Sequence, residues 1–367
     1  MDTLKITKGK IAIYRLYDVA SEIDLSLVES KAKEGVRRLR LSRHPYMKAL
    51  EFTDPPVSFV LPGFTIRLFD KDIQVKVISK AYDFGVLSLA FYVPVPQDTS
   101  FSELERVAKD LDTDESIDEK AKEYIKQLMH KLGSAIILPS FKEEFNEDYM
   151  VFMVEKLNKE MEALQLLDEY DLSRLLLYET RDVSQQTKEE TLKHRFSYYP
   201  DDLVIVHLDN AFVIEPTGSS DILDLLEFAT AQMLELRYYD HVLDKELARI
   251  YREIPKHKRA SIFELRSYER LARKITETVT ELTAVTEKVD NALKVTEDVY
   301  YAKIYRAAML LFRSQDWEDS IKGKLQVVTK TYTMLYEDIS TRRGHLLEWG
   351  IIILILIEII LLILMEW

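Results

Sequence analysis

The residues of this chain that could do chemistry are few and dispersed. Its seven histidines stand at 44, 130, 194, 207, 241, 257 and 345, and no two form an HxxxH pair. The sequence has no cysteine, which removes thiolate nucleophiles, disulfides and cysteine-based metal sites together. Neither a GxSxG elbow nor a GxxxxGK[ST] phosphate loop occurs. Asp110, Asp112 and Asp114 imitate the start of a calcium loop. Glu115 stands where that loop needs glycine, and Ala121 where it needs a bidentate glutamate. The run therefore reads as a solvated turn between two helices. No catalytic residue, cofactor or metal is expected.

Three groupings carry more weight. In LELRYYDHVLDKEL, Glu235, Arg237, Asp240, His241 and Asp244 crowd one short helical span. They could form an acid–base or anion site. Ion pairs within the helix, beside a packed leucine face, are the plainer reading, because residues three or four apart are neighbours on a helix. Lys31, Lys33, Arg37, Arg38, Arg40, Arg43 and His44 form a basic cluster in an acidic half of the chain. It is the candidate contact for RNA phosphates or anionic lipid headgroups. A solvated helix face is the reading against it. The third is Glu358, a lone carboxylate inside an apolar run. A carboxyl at membrane depth is costly and faces protein or water, so self-association through Glu358 is the functional expectation.

That run is GIIILILIEIILLILMEW. Residues 350–365 hold no charge but Glu358 and no proline. As a helix they span about 24 Å, close to a hydrocarbon core. Trp349 and Trp367 bracket the run at the depth indole rings favour. Arg342, Arg343 and His345 precede it and nothing basic follows. The positive-inside rule then places the bulk of the chain on the cytoplasmic side of a cell membrane, held by a single C-terminal anchor. MDTLKITKGK has no apolar h-region and does not read as a secretory signal.

The elements that must position these groups change character along the chain. The front half reads as mixed α and β. Residues 11–17 alternate weakly. Residues 57–60, 64–69 and 73–78 are short β-rich runs separated by LPG and DKD turns. Residues 84–93 form a buried-strand candidate ended by Pro94 and Pro96. Two acidic helices are expected over 102–111 and 117–132, a strand over 149–157, and a hairpin from 204–208 to 211–215 around Asp209 and Asn210. After Pro216, N-cap candidates Ser219, Ser220 and Asp221 open an amphipathic helix over 222–252. Its buried face is marked by Ile222, Leu225, Leu226, Met233, Leu236, Leu243, Leu247 and Ile250.

No proline follows Pro255. Leu265, Ala272, Val279, Thr286, Leu293 and Tyr300 recur every seventh residue, accompanied by Tyr268, Ile275, Leu282, Val289 and Thr296. This is a/d spacing. A break is expected at 314–316. A second helix then carries Leu325, Tyr332, Ile339 and Leu346, with Val328, Leu335, Arg342 and Trp349, in phase into the apolar run. The seam closes either within one chain or between chains. The net charge of −13 lies in the front half, which argues against wholesale nucleic-acid binding; DNA is not an expected partner.

The segments LELRYYDHVLD, YRAAMLLFRSQDWEDSIKGKL and TRRGHLLEWGIIILILIEII together resemble the required-for-meiotic-nuclear-division family. YDFGVLSLAFY is similar to that family's aromatic-Gly-Val strand. The resemblance implies a membrane-anchored, oligomeric protein with no established enzymatic activity. Mitochondrial members of that family support organellar translation by tethering ribosomes near the inner membrane.

The sequence thus predicts an α+β domain (1–216), a long amphipathic helix (217–255), a helical hairpin with coiled-coil heptads (256–345) and a transmembrane helix (346–367). The expected function is a membrane-anchored, homo-oligomeric scaffold or tether, with the bilayer and a ribosome or other large complex as partners. The alternatives are a membrane-bound enzyme with its site in the front domain, and a structural oligomer that organises membrane.

Overall fold

The computed structural model describes residues 4–31, 36–38, 55–253 and 298–365, with single positions 273, 276 and 280. Their compact units are two: Met1–Tyr238 with Asn291–Gln315, and Tyr239–Asp290 with Asp316–Trp367.

The first unit is built on one mixed sheet. Its strands are β1 (Lys5–Asp18), β3 (Val36–Arg38), β4 (Val57–Leu68), β5 (Lys71–Ala81), β6 (Val86–Val95), β7 (Thr99–Ser100), β9 (Asn146–Leu157), β10 (Arg195–Phe196), β11 (Leu203–Val206) and β12 (Asn210–Ile214). The order is β10-β11-β12-β9-β1-β6-β5-β4-β3, with β7 paired to the start of β1. Every pairing is antiparallel except that of β12 with β9. A separate pair joins β2 (Ala20–Ile23) to β8 (Ile136–Pro139), beside the short helix α1 (Leu25–Lys31).

β1 sits at the centre and is buried on both sides from Ile11 to Asp18. That is why its alternation is faint in the sequence: a strand covered on two faces is apolar at odd and even positions alike. Ile11 and Ile13 point to one face, where they join Phe91, Phe152 and Phe212. Helices α2 (Phe101–Asp112) and α3 (Glu115–Leu132) cover that face. Ser100 caps α2 through the Glu103 N–H, and Asp114 caps α3 through the Ser116 N–H. The expected turn between two acidic helices is thus the C-cap of α2, Thr113, followed directly by the N-cap of α3, Asp114. The short helices α4 (Leu166–Glu169) and α5 (Ser173–Leu176) add Leu166, Leu175 and Leu176 to the same core, and α6 (Gln185–Thr191) follows.

Two expected turns resolve differently. LPG is not a turn: β4 runs straight through it with a bulge between Leu61 and Phe64. Gly63 is needed there because a Cβ would lie 2.4 Å from the Val75 carbonyl oxygen. At DKD, the chain does reverse, with Phe69 and Asp70 both at φ 52°, as a two-residue hairpin of the primed type requires. Phe69 tolerates that conformation while its ring is buried in the core. Gly85 has φ 95°, and a Cβ there would fall 1.8 Å from the Ala20 carbonyl oxygen.

The opposite face of the sheet is covered by the first half of α7 (Asp221–Glu253) and by α8 (Val299–Leu311). The Tyr14 hydroxyl lies 3.5 Å from the Leu223 carbonyl oxygen. Tyr82 packs on Phe228, Phe228 on Tyr305, and Tyr149 on Phe312. α7 matches its expected span as far as Glu253, the last described residue before Pro255. Seven of the eight positions expected to be buried are so; Leu247 is half-buried. Over its first half, however, α7 is buried nearly all round, and Glu227, Thr230, Gln232 and Glu235 go inside with the leucines.

Within the second unit, the later part of α7 packs on α9 (Ser314–Met365), a continuous helix of 52 residues. Leu243, Ile250, Ile321 and Val328 are buried there. The break before α9 falls at Phe312 and Arg313, where Arg313 has φ 56°, just ahead of the expected 314–316. The heptads of 265–296 lie outside the described residues, apart from isolated positions, so a coiled coil over them remains an expectation from spacing alone.

Candidate functional site

The least ordinary chemistry lies between the sheet and α7. Lys80 is the last inward-facing position of β5 on this side, in register with Ser88, which is itself opposite Leu16. Its ammonium donates to Asp224 Oδ1 at 2.7 Å and to Glu227 Oε2 at 2.5 Å. The two carboxylates come from adjacent turns of α7, since a spacing of three puts them on one face. Lys80 is 4% exposed and Glu227 0%. Tyr14, Tyr82 and Tyr92 surround the group, and burial raises all three phenols above their ordinary range.

The electrostatics are lopsided. Burial alone would lower the Lys80 ammonium, yet Asp224 and Glu227 hold it well above its usual value. Glu227 is pushed up, first by burial and also by Asp224, with Lys80 opposing. Glu227 Oε1 is buried without a hydrogen-bond partner. One cation faces two carboxylates, so the cluster is one positive charge short of balance. Its members are buried between the sheet and the first half of α7, and its evident effect is to fix α7 in register on the sheet.

A second buried acid lies at the far end of β1. Asp18 accepts a hydrogen bond from the Ser140 hydroxyl at 3.2 Å, while its Oδ2 has no partner. Burial drives its carboxyl up to about 7, against the Ser140 bond and Lys142. Tyr238 of α7 adjoins it, stacked edge-on to Phe145.

The helical cluster of Glu235, Arg237, Asp240 and Asp244 is divided by the structure. The ion pairs of Arg237, Asp240 and Asp244 run to other elements rather than along the helix. Arg237 pairs with Glu147 of β9. Asp240 accepts from Ser320 at 2.6 Å and pairs with Lys324 at 2.8 Å, and Asp244 pairs with Lys324 at 2.6 Å. Glu235 is buried. These four side chains do not converge on one point. The expectation of intrahelical pairs missed this because α7 has a different neighbour at each turn.

In the basic cluster, Lys31 ends α1 and Arg37 and Arg38 lie on β3, whereas Lys33, Arg40, Arg43 and His44 fall outside the described residues. Arg342 and Arg343 are on α9, as are Trp349 and Glu358; Trp367 lies outside the described residues. From Leu347 to Met365, α9 is long and apolar enough to cross a membrane, and none of that stretch is buried. No group of three or more metal-ligating side chains occurs among the described residues.

Lys80, Asp224, Glu227 and Asp18 were not singled out in the sequence. A signal existed for two of them. ILDLLEFATAQMLEL is apolar enough to be surrounded, so acids at 224 and 227 within it must meet a partner or a proton. Nothing local marks Lys80 as that partner, 144 residues away from Asp224.

The fold and these features define a mixed-sheet domain with helices on both faces, continued by long helices, the last of them apolar at its end. The chain belongs to the family described as Uncharacterized protein MJ0711, N-terminal domain, which matches residues 8–221, from β1 to the first residue of α7. It is similar to Uncharacterized protein MJ0711 of Methanocaldococcus jannaschii, with 26% identity over 191 residues, 52% of this chain and 58% of that protein. The chain thus matches little more than half the length of this curated relative. No solved structure matches. These findings place the chain in a family of unknown function and lend no support to the meiotic-nuclear-division resemblance.

Proposed function

We propose that this protein is a membrane-anchored tether. The end of α9 crosses the bilayer and holds the mixed-sheet domain at the cytoplasmic surface, where it engages a large partner. The observation that carries this reading is the 19-residue stretch Leu347–Met365, wholly exposed at the end of an unbroken helix. At 1.5 Å per residue it spans about 28 Å, close to a hydrocarbon core. An exposed stretch of nineteen residues with only Glu348 and Glu358 charged would be an unsustainable patch in water, whereas lipid solvates it.

The orientation follows from Arg342, Arg343 and His345 on its near side. The buried Lys80 cluster suits a tether, since it fixes α7 firmly on the sheet that the family match defines. A ribosome as the partner, and self-association through Glu358, belong to the same proposal. The test is fractionation of the full chain after an alkaline wash. The wild type is expected to stay in the membrane pellet, and Leu354→Arg with Ile355→Arg to shift it to the supernatant, because two charges at mid-bilayer oppose insertion. A wild type released by the wash would end the reading.

A further inference from the structure

Four tyrosines of the first unit meet in an unbroken chain of ring contacts. Tyr198 meets Tyr199 at 4.8 Å between centroids and 76° between planes. Tyr198 meets Tyr300 at 5.5 Å and 63°, and Tyr300 meets Tyr301 at 5.6 Å and 63°. All three contacts are edge-to-face, each setting the edge of one ring against a face of its neighbour. Tyr198 and Tyr199 are 53% and 55% exposed, and Tyr300 and Tyr301 are half-buried.

The backbone that carries the rings is held by carboxylates. Asp202 accepts from the Tyr198 and Tyr199 N–H groups at 2.7 and 3.0 Å. Asp298 caps α8 by accepting from the Tyr300 and Tyr301 N–H groups. Glu215 accepts from the Thr217 backbone and hydroxyl. After burial, the groups that raise the Tyr300 phenol are Asp202, Tyr301, Glu215 and Asp298, and those that raise the Tyr301 phenol are Asp221, Glu215 and Asp298. Tyr301 apart, all of these are carboxylic acids. A half-exposed aromatic surface, set beside carboxylates on a braced backbone, is organised to receive a cation.

We infer that Tyr198, Tyr199, Tyr300 and Tyr301, with Glu215, Asp221 and Asp298, form a docking surface for an arginine-bearing segment of a partner protein, with buried Asp202 bracing the backbone beneath the first two. Charge complementarity selects a basic partner. The aromatic faces select arginine over lysine, because a guanidinium is planar and weakly hydrated: it can stack on a phenol while its fork reaches carboxylates. Tyrosine and arginine are also the residues on which interface energy concentrates. The inference does not depend on the membrane reading, and its test leaves the anchor untouched.

The test is a fluorescence-anisotropy titration of the full chain in lipid nanodiscs with labelled Gly-Arg-Gly-Arg-Gly and Gly-Lys-Gly-Lys-Gly. The arginine peptide is expected to bind roughly tenfold more tightly than its lysine counterpart. Tyr198→Ala with Tyr199→Ala should abolish that preference and weaken arginine-peptide binding at least about tenfold, with the acids unchanged. Tyr198→Phe with Tyr199→Phe keeps both rings and should bind like the wild type. Equal affinity for the two peptides would mean bulk acidity alone and overturn the inference. So would an alanine variant that binds the arginine peptide as the wild type does, or a phenylalanine variant that fails to bind while retaining the wild-type circular dichroism.

Discussion

At the scale of single residues, the strongest constraint is that Lys80 and its two acids leave water together. A buried cation and carboxylate stabilise each other only while both are present. Lys80→Met should therefore cost about 3–5 kcal/mol, by stranding Asp224 and Glu227. Adding Asp224→Leu and Glu227→Leu should recover most of that loss, since apolar packing of similar volume often replaces a buried ionic group at no net cost. Denaturant unfolding of the three proteins checks this. A single variant within about 1 kcal/mol of wild type would show that the cluster is not a pin.

Asp18 makes a different prediction, with a sign set by burial. Its carboxyl titrates near pH 7 in the folded chain and near 4 when unfolded, so the folded state binds the extra proton between those values. The stability it contributes is complete below about pH 4 and is lost as pH rises to about 7, with a ceiling of about 4 kcal/mol. Asp18→Asn keeps the acceptor for Ser140 and removes the charge. The variant should outlast the wild type at pH 8, and the two melting temperatures should converge towards pH 4. Parallel pH profiles would exclude Asp18 as the titrating group.

At the scale of elements, α7 and α9 show how much one helix pattern can conceal. Period and caps mark where α7 begins. They do not reveal that its first half is surrounded, because buried acids and exposed acids look alike in a sequence. Partners separate them: Asp224 meets Lys80, while Asp240 meets Ser320 and Lys324. β4 teaches the same lesson for strands. Pro62 and Gly63 look like a turn, but the neighbouring β5 continues pairing on both sides of them and holds the chain extended.

Glu358 belongs to this scale too, because its effect depends on the helix it meets. If it hydrogen-bonds between anchors, Glu358→Leu should leave insertion intact and weaken self-association by about 1–2 kcal/mol, about tenfold in the association constant. Energy transfer between labelled copies in vesicles measures this, and an unchanged signal would remove Glu358 from the assembly.

At the scale of the whole molecule, the sequence by itself determined the α+β character of the front half, the long helix after Pro216 and the apolar end of α9. Each of these rests on local periodicity, on proline placement, or on a composition that water tolerates poorly, and such signals survive without a fold. It also determined what is missing from the primary structure: no cysteine, no phosphate loop, no paired histidines. Only the tertiary structure decided the strand order around β1, the parallel step from β9 to β12, and the meeting of Lys80 with Asp224 and Glu227. It alone brought Tyr198 beside Tyr300, about a hundred positions apart. The physical reason is common to all of these. Long-range pairings are chosen by which surfaces exclude water together and by which buried charges find a partner, and neither choice leaves a mark in the residues nearby.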